Sequence, residues 1–392
     1  MKKILVLSLI LFAFTRVSSQ VASQNITTPL IQAFSKGAIS SYGASTLVNK
    51  IENIGYLNPS ALNSFDNLSV GFSYQFESKI DEAYIAHIGY SRMAEELPES
   101  FGIVYSYENF RIGFGFGQAY NGKLDVGPIS FTTPENPDGI GQTFEPVFET
   151  TIQSYSLITS YSVENIFQSN DEISLGFRIN RNVLHAREQL DQFFLDEKVF
   201  GFSFAVGANY YSNLPGGNKL GVGLFYESPM EFSKYSTYKD LAINRPDTTL
   251  GEPYVINYLP VYLSGRIPAK LMFDIDFGVN DELRILGSIS SVFWNDSDDG
   301  YLNQINFSGS VVYRYFENIN LSAGLFSSTR KYNTELTRYF NVEESESAVY
   351  LTAGVNVKYS GFDLDLSLAD SHMFSGDWRK QTIVKVGLGY AL

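Results

Sequence analysis

Alternation with a period of two residues runs through this chain in segments longer than ordinary strands. Leu68, Val70, Phe72, Tyr74 and Phe76 are separated by Ser69, Gly71, Ser73 and Gln75, and Phe110, Ile112, Phe114 and Phe116 by Arg111, Gly113 and Gly115. The pattern returns at 173–179, 202–210, 220–226, 271–277, 319–325, 349–359, 362–368 and 384–392. Successive side chains of a strand point to opposite faces, so each segment has one apolar face and one face of Gly, Ser, Asn and scattered charges. In a chain that is 44% apolar, four alternate apolar positions arise by chance in roughly 0.04 of trials, so this many segments reflects the fold.

A soluble sandwich also alternates, with one face in its core. Three features favour a transmembrane antiparallel β-barrel, an all-β fold. The segments run to about ten residues or more, the length a tilted strand needs to cross ~25 Å of hydrocarbon. The aromatics (31 Phe and 26 Tyr) crowd segment ends, as at Tyr74–Phe76, Tyr210-Tyr211 and Tyr313–Tyr315, where interfacial girdles sit. The last alternating segment also reaches Leu392, so the end of the sequence reads as a strand.

Tight turns and long connections take turns along the chain. Short ones fall at 108–109, 165–171, 213–218, 280–281, 317–318 and 360–361, and long ones at about 119–149, 185–199, 229–266, 295–303, 331–347 and 371–380. Outer-membrane barrels keep short turns periplasmic and long loops outside, which directs the final strand down to the periplasm. Fifteen candidate strands are present, whereas a bacterial single-chain barrel has an even number. Reading 67–94 as one long strand bent near Lys79–Glu82 gives fourteen; one further unrecognised strand would give sixteen.

Met1-Lys2-Lys3, an apolar run from Ile4 to Phe14 and small residues at Val17-x-Ser19 have the form of a signal peptide over 1–19. The run is shorter than the ~20 residues of a spanning helix. Residues 20–66 lack alternation and read as an N-terminal hatch or plug, because fourteen strands enclose a lumen too wide for wall side chains to fill. The barrel itself is expected over 67–392. Its inward face carries Arg111, Arg178, Asn180, Lys270, Asp274, Asp276, Arg284, Asn356, Lys358, Asp363, Asp365 and Lys385. Opposite charges there are expected to pair with one another and with the hatch. No apolar conduit is visible on the strands.

The absence of cysteine excludes disulfides and thiolate chemistry, and 28 Lys+Arg against 42 Asp+Glu argues against a nucleic-acid partner. His87, His185 and His372 show no metal-ligand spacing, and no Gly-x-Ser-x-Gly elbow occurs. Gly113-x-Gly115-x-Gly117 reads as a lumen stripe, not a phosphate cradle. No enzyme, no metal and no cofactor are expected.

Gly55-Tyr56-Leu57-Asn58-Pro59-Ser60-Ala61-Leu62 resembles the Asn-Pro-Ala element of FadL-type outer-membrane transporters of long-chain fatty acids and other hydrophobic molecules. Tyr226-Glu227-Ser228 is similar to that family's Tyr-x-Ser, and Ile267-Pro268-Ala269, Asn280–Leu283 and Trp294 follow in the family's order. Ser60 stands where the family usually has Ala. The resemblance implies a 14-stranded barrel in the outer membrane of a Gram-negative bacterium, with hatch residues Asn58 and Pro59. It also implies passive uptake of hydrophobic ligand, with lateral exit through the wall. The loops matching the family's ligand-capturing ones are 185–199 and 229–266, which offer Leu190, Phe193, Phe194, Leu195 and Phe232 as ligand-binding residues. Leu190, Phe193 and Phe194 lie at helical spacing, so a helix is expected there. Expected partners are lipid and a hydrophobic ligand. The alternative is a non-transporting barrel subunit of an outer-membrane secretion or assembly machine, like PorV-type relatives, with protein or lipoprotein partners. On either reading, Val70→Arg or Phe114→Arg is expected to be costly and Ser73→Arg much less so.

Overall fold

The computed structural model describes residues 22–25, 47, 50–65, 67–82, 90–125, 129–130, 143–144, 147–190, 193–238, 241–243, 254–256, 259–294, 301–332, 345–374 and 379–392. The expected signal segment lies outside the described residues.

Fourteen antiparallel strands close on themselves. They are β1 Leu68–Glu82, β2 Tyr90–Tyr107, β3 Phe110–Asp125, β4 Val147–Glu164, β5 Asp171–Leu190, β6 Phe193–Asn213 and β7 Lys219–Glu227. They continue as β8 Lys270–Gly278, β9 Leu283–Val292, β10 Gln304–Phe316, β11 Ile319–Tyr332, β12 Ser345–Tyr359, β13 Phe362–Asp370 and β14 Arg379–Ala391. Each pairs with its sequence neighbour, and β14 pairs with β1 from Ser69↔Ala391 to Asp81↔Arg379, which removes both sheet edges. Short turns and longer connections alternate except at β5–β6, which meet in a tight hairpin, and both sequence ends of the barrel lie at the short-turn rim.

The alternating residues face as the period requires. Phe72, Phe114, Leu157, Phe177, Phe202, Leu224, Phe273 and Leu366 are exposed on the outer wall, while Gly71, Gly113, Ser156, Arg178, Gly201, Gly223, Asp274 and Asp365 are buried or half-buried on the inner one. Tyr105, Tyr107, Tyr161, Phe167, Tyr315, Phe316, Tyr359 and Phe362 ring the short-turn rim, the position of an interfacial girdle. A continuous apolar belt of this kind is stable only against lipid.

Two expectations are corrected. The stretch 67–94 is not one bent strand: Glu82 pairs with Tyr90, so the chain reverses between them and 90–93 belong to β2. The count of fourteen survives because β2 runs unbroken to Tyr107. Glu95-Glu96-Leu97-Pro98-Glu99 disguises it, since Ser73 pairs with Ser100 and Tyr74 with Pro98, leaving Glu99 as a bulge. Second, 185–199 is neither a long loop nor a helix. β5 and β6 extend to a hairpin in which Leu190 pairs with Phe193, and His185 meets Asp196 across it at 2.5 Å.

After Ser228 the chain leaves the wall in a second hairpin, Met230–Tyr238 with Leu259–Ile267, whose strand Leu259–Ile267 also pairs in parallel with Ala22–Asn25.

Candidate functional site

The described residues 50–65 of the expected plug lie against the inner wall in the short-turn half of the lumen. They include two 3-10 turns, Ile51–Asn53 and Pro59–Ser64, and the plug's entry at Phe65 is fixed by Ser106 Oγ at 2.6 Å and Arg111 Nε at 3.0 Å, both donating to the Phe65 carbonyl. Asn58 caps the second turn, its Oδ1 accepting from Ser60 N at 3.1 Å and from Ser60 Oγ at 2.7 Å. The same side chain docks the plug on the wall, Nδ2 donating to Asn209 Oδ1 at 2.8 Å and to the Leu224 carbonyl at 3.1 Å. Pro59 opens the turn at a position where its missing N–H costs nothing.

Inward glycines make room for this backbone. A Cβ on Gly176 would overlap Pro59 and Ser60, one on Gly207 would overlap Asn58, and one on Gly117 would stand 2.5 Å from the Tyr56 ring. The stripe at 113–117 is therefore a landing surface for Ile54, Gly55 and Tyr56.

The inward charges are satisfied largely by the plug. Lys50 Nζ lies 2.9 Å from Asp363 Oδ1 and 2.6 Å from Asp365 Oδ2, so the two carboxylates share one cation. Arg178 Nη1 donates to the Leu57 carbonyl at 2.7 Å and Nη2 pairs with Glu227 at 3.1 Å. Lys385 Nζ lies 2.6 Å from Glu99 Oε2 and donates to Asn53 Oδ1 at 2.5 Å. Burial and neighbouring Asp365 push the plug carboxyl of Glu52 up to about 8, against the opposing pull of Lys50 and Lys385. Such pairs are costly to break one partner at a time.

Above the plug the inner face changes character. Along β4 and β5 it passes from Ser156 and Ser154 to Ile152, and from Asn180 and Asn182 to Leu184 and Ala186. With Tyr120, Leu195, Val199, Val292 and Trp294 of the wall and Met230 and Phe232 of the inserted hairpin, these form one buried apolar cluster, against which Ala119 packs. Gly201 leaves room for the hairpin: its Cβ would meet the Glu231 carbonyl at 2.5 Å and the Phe232 ring at 3.1 Å. Leu195 and Phe232, two of the expected ligand-binding residues, thus converge. Leu190, Phe193 and Phe194 are placed at the tip of the β5–β6 hairpin. The expectation that the strands show no apolar conduit is corrected: they carry an apolar inner surface at the long-loop end.

Beside that cluster two neighbouring wall strands part although both continue. β2 and β3 pair from Tyr107↔Phe110 only as far as Ser100↔Gly117. Beyond it β2 continues along β1 and β3 along β4, but among the described residues they no longer pair with each other. Both lips are bulged where they part, at Glu99 and, between Gln118 and Tyr120, at Ala119. Tyr56, Glu99 and Lys385 went unnoticed as a group in the sequence. The available signal was the break of alternation at Pro98-Glu99.

A closed barrel of fourteen strands with an apolar belt outside, a plug inside and an apolar inner surface at its long-loop end is a transmembrane β-barrel. No protein-family model and no curated protein sequence matches the chain. Solved structures do. The CymD monoaromatic hydrocarbon channel superposes with a TM-score of 0.62 at 12% identity, over 92% of this chain and 99% of that one. The Ralstonia pickettii toluene transporter TbuX gives 0.60 at 13%, over 92% and 98%. A Pseudomonas aeruginosa FadL homologue gives 0.59 at 14%, over 94% and 99%. The chain has the fold of the FadL-type barrels.

Proposed function

We propose that this protein is a passive outer-membrane channel for hydrophobic small molecules such as fatty acids, taken in at the long-loop end and released sideways into the membrane between β2 and β3. The observation that carries this reading is that Ala119 and Tyr120 belong at once to the β3 lip of the split and to the surroundings of the apolar cluster. An apolar solute there faces two routes. Going straight on means crossing the Ser, Asn and ion-pair layer and the plug, whereas going sideways keeps apolar surface out of water throughout, at ~25 cal/mol per Å². Unpaired backbone at membrane depth is tolerated where it borders a protein-lined passage. Hydrocarbon and toluene channels among the structural neighbours point the same way. The test is entry of BODIPY-dodecanoate into proteoliposomes; a rate equal to that of protein-free vesicles rejects the proposal.

The ion pairs that tie the plug region to the inner wall favour a second reading, a sealed barrel serving as a subunit of an outer-membrane machine. Stoichiometric companion chains after gentle solubilisation would support it, and a solitary barrel would count against it.

A further inference from the structure

Glu99 is an extra residue in β2, placed at the first position where β2 and β3 part. A bulge residue in a wall strand has no ladder duty, so its side chain is free to be aimed. Here it points inward and is fully buried. Its carboxylate Oε2 takes the Lys385 ammonium at 2.6 Å and the Ser73 hydroxyl at 3.2 Å, while its carbonyl accepts the Tyr56 phenol at 2.7 Å. Lys385 holds Asn53 of the plug with another of its N–H bonds. The β2 lip is thus tied to the plug twice, through Tyr56 directly and through Lys385 to Asn53.

The β3 lip is held differently. Gly115 and Gly117 accept Gly55 and the Tyr56 ring by close packing, with the Tyr56 ring carbons 2.5 and 2.7 Å from where a Gly117 Cβ would stand. Gly55 lies in turn against the Phe116 carbonyl. One plug residue, Tyr56, therefore touches both lips, hydrogen-bonded to one and packed on the other.

We propose that Glu99 is the positioning residue through which the plug governs the β2–β3 split: the Glu99–Lys385 pair and the Tyr56 phenol form a latch, and the lips, already unpaired, move far enough apart for a ligand to pass only when the plug shifts. This rests on the lateral-release reading and adds to it the identity of the coupling residue. Loops at the long-loop rim need not move for the split to open. A shift of Tyr56 acts on both lips together.

The chain's lack of cysteine makes the test direct. A single reporter, Leu57→Cys, sits in the buried plug, and its maleimide labelling reads plug movement without any ligand. Uptake of BODIPY-dodecanoate into proteoliposomes reads the split. Glu99→Gln with Lys385→Met removes both charges, leaving no unpaired ion; Tyr56→Phe removes only the hydroxyl and protects the test should the double variant not fold. Labelling and uptake are expected to rise together, by about tenfold in the double variant, the factor that ~1.4 kcal/mol supplies, and by less in Tyr56→Phe. Unchanged labelling in both variants overturns the latch. So does an equal gain in uptake from Lys50→Met with Asp365→Asn, which loosens the plug at β13, away from both lips. Wild-type uptake no faster than in empty vesicles instead rejects lateral release, while the labelling still decides whether Glu99 holds the plug.

Discussion

Asn58 of the plug occupies the space in which a side chain at Gly207 would stand, so closely that a Cβ on Gly207 would overlap Asn58 Oδ1. The amide held there performs two tasks, capping the turn that begins at Pro59 and docking on Asn209 and Leu224. Seating of the plug therefore depends on a missing methyl group in β6. Gly207→Ala is expected to displace Asn58 and weaken seating by about 1–3 kcal/mol, the usual cost of overpacking. Maleimide labelling at Leu57→Cys should accelerate while heat-modifiable gel migration, a property of the closed barrel, is retained. Labelling as slow as in the parent would show that the plug does not need this space.

Seating should also depend on pH through Glu52, which lies against Gly387 with its carboxyl pushed up to about 8 by burial and by Asp365. Below the ordinary value of 4.5 the group is neutral whether the plug is seated or released, so seating is indifferent to pH. Between 4.5 and about 8 a released Glu52 ionises while a seated one keeps its proton. Seating then loses up to about 1.4 kcal/mol per pH unit, and the loss levels off above the raised value. Labelling at Leu57→Cys, normalised to an exposed control cysteine, should rise from pH 5 to 8, and Glu52→Gln should flatten that rise. Parallel profiles for the two proteins would refute the assignment.

The outer wall obeys a depth rule. Phe114, exposed in the apolar belt, is expected to cost about 2–4 kcal/mol as Phe114→Arg at the midplane. Tyr359, at the short-turn rim and 75% exposed, should cost about 0–1 kcal/mol as Tyr359→Arg. Refolding into vesicles across a denaturant series measures both, and equal costs would misplace the belt. The sequence-based view of Ser73 needs revision. Its hydroxyl lies 2.6 Å from Ser100 Oγ and 3.2 Å from Glu99 Oε2, so Ser73→Arg meets a filled interior and is no cheap substitution.

The barrel was legible because lipid on one side imposes the same period on every strand, and that period needs no knowledge of neighbours. The plug's landing surface was half legible: Gly113, Gly115 and Gly117 read as a lumen stripe, but what they face lies about sixty residues away and leaves no periodic trace. The tip around Leu190 misled because spacings of three and four also occur across a tight hairpin, where Leu190 meets Phe193. The apolar lumen was readable in principle, since Ile152, Leu184 and Val199 each interrupt an inward run of Ser, Asn and Gly. Inward Ser, Asn and charged residues outnumber these few apolar ones and mask them. The split was invisible, as pairing partners beyond Ser100 and Gly117 are a property of register, and register changes at bulges.

Lateral release makes a last prediction that separates the split from every other seam. Pro98→Cys with Ala119→Cys places one thiol on each lip, while Val70→Cys with Leu388→Cys places two on β1 and β14 across a seam paired along its whole described length. A short bis-maleimide bridging the lips should stop uptake of BODIPY-dodecanoate nearly completely, because the proposed sideways route is then strapped. The same reagent on the β1–β14 pair should leave uptake at the parental rate, since that seam has no part in release. Reaction with one-armed maleimide at Pro98 and Ala119 controls for bulk at the lips and should slow uptake less than the bridge does. Uptake that persists in fully bridged protein would mean that ligand leaves through the plug, and the polar floor beneath the apolar cluster would then have to open instead.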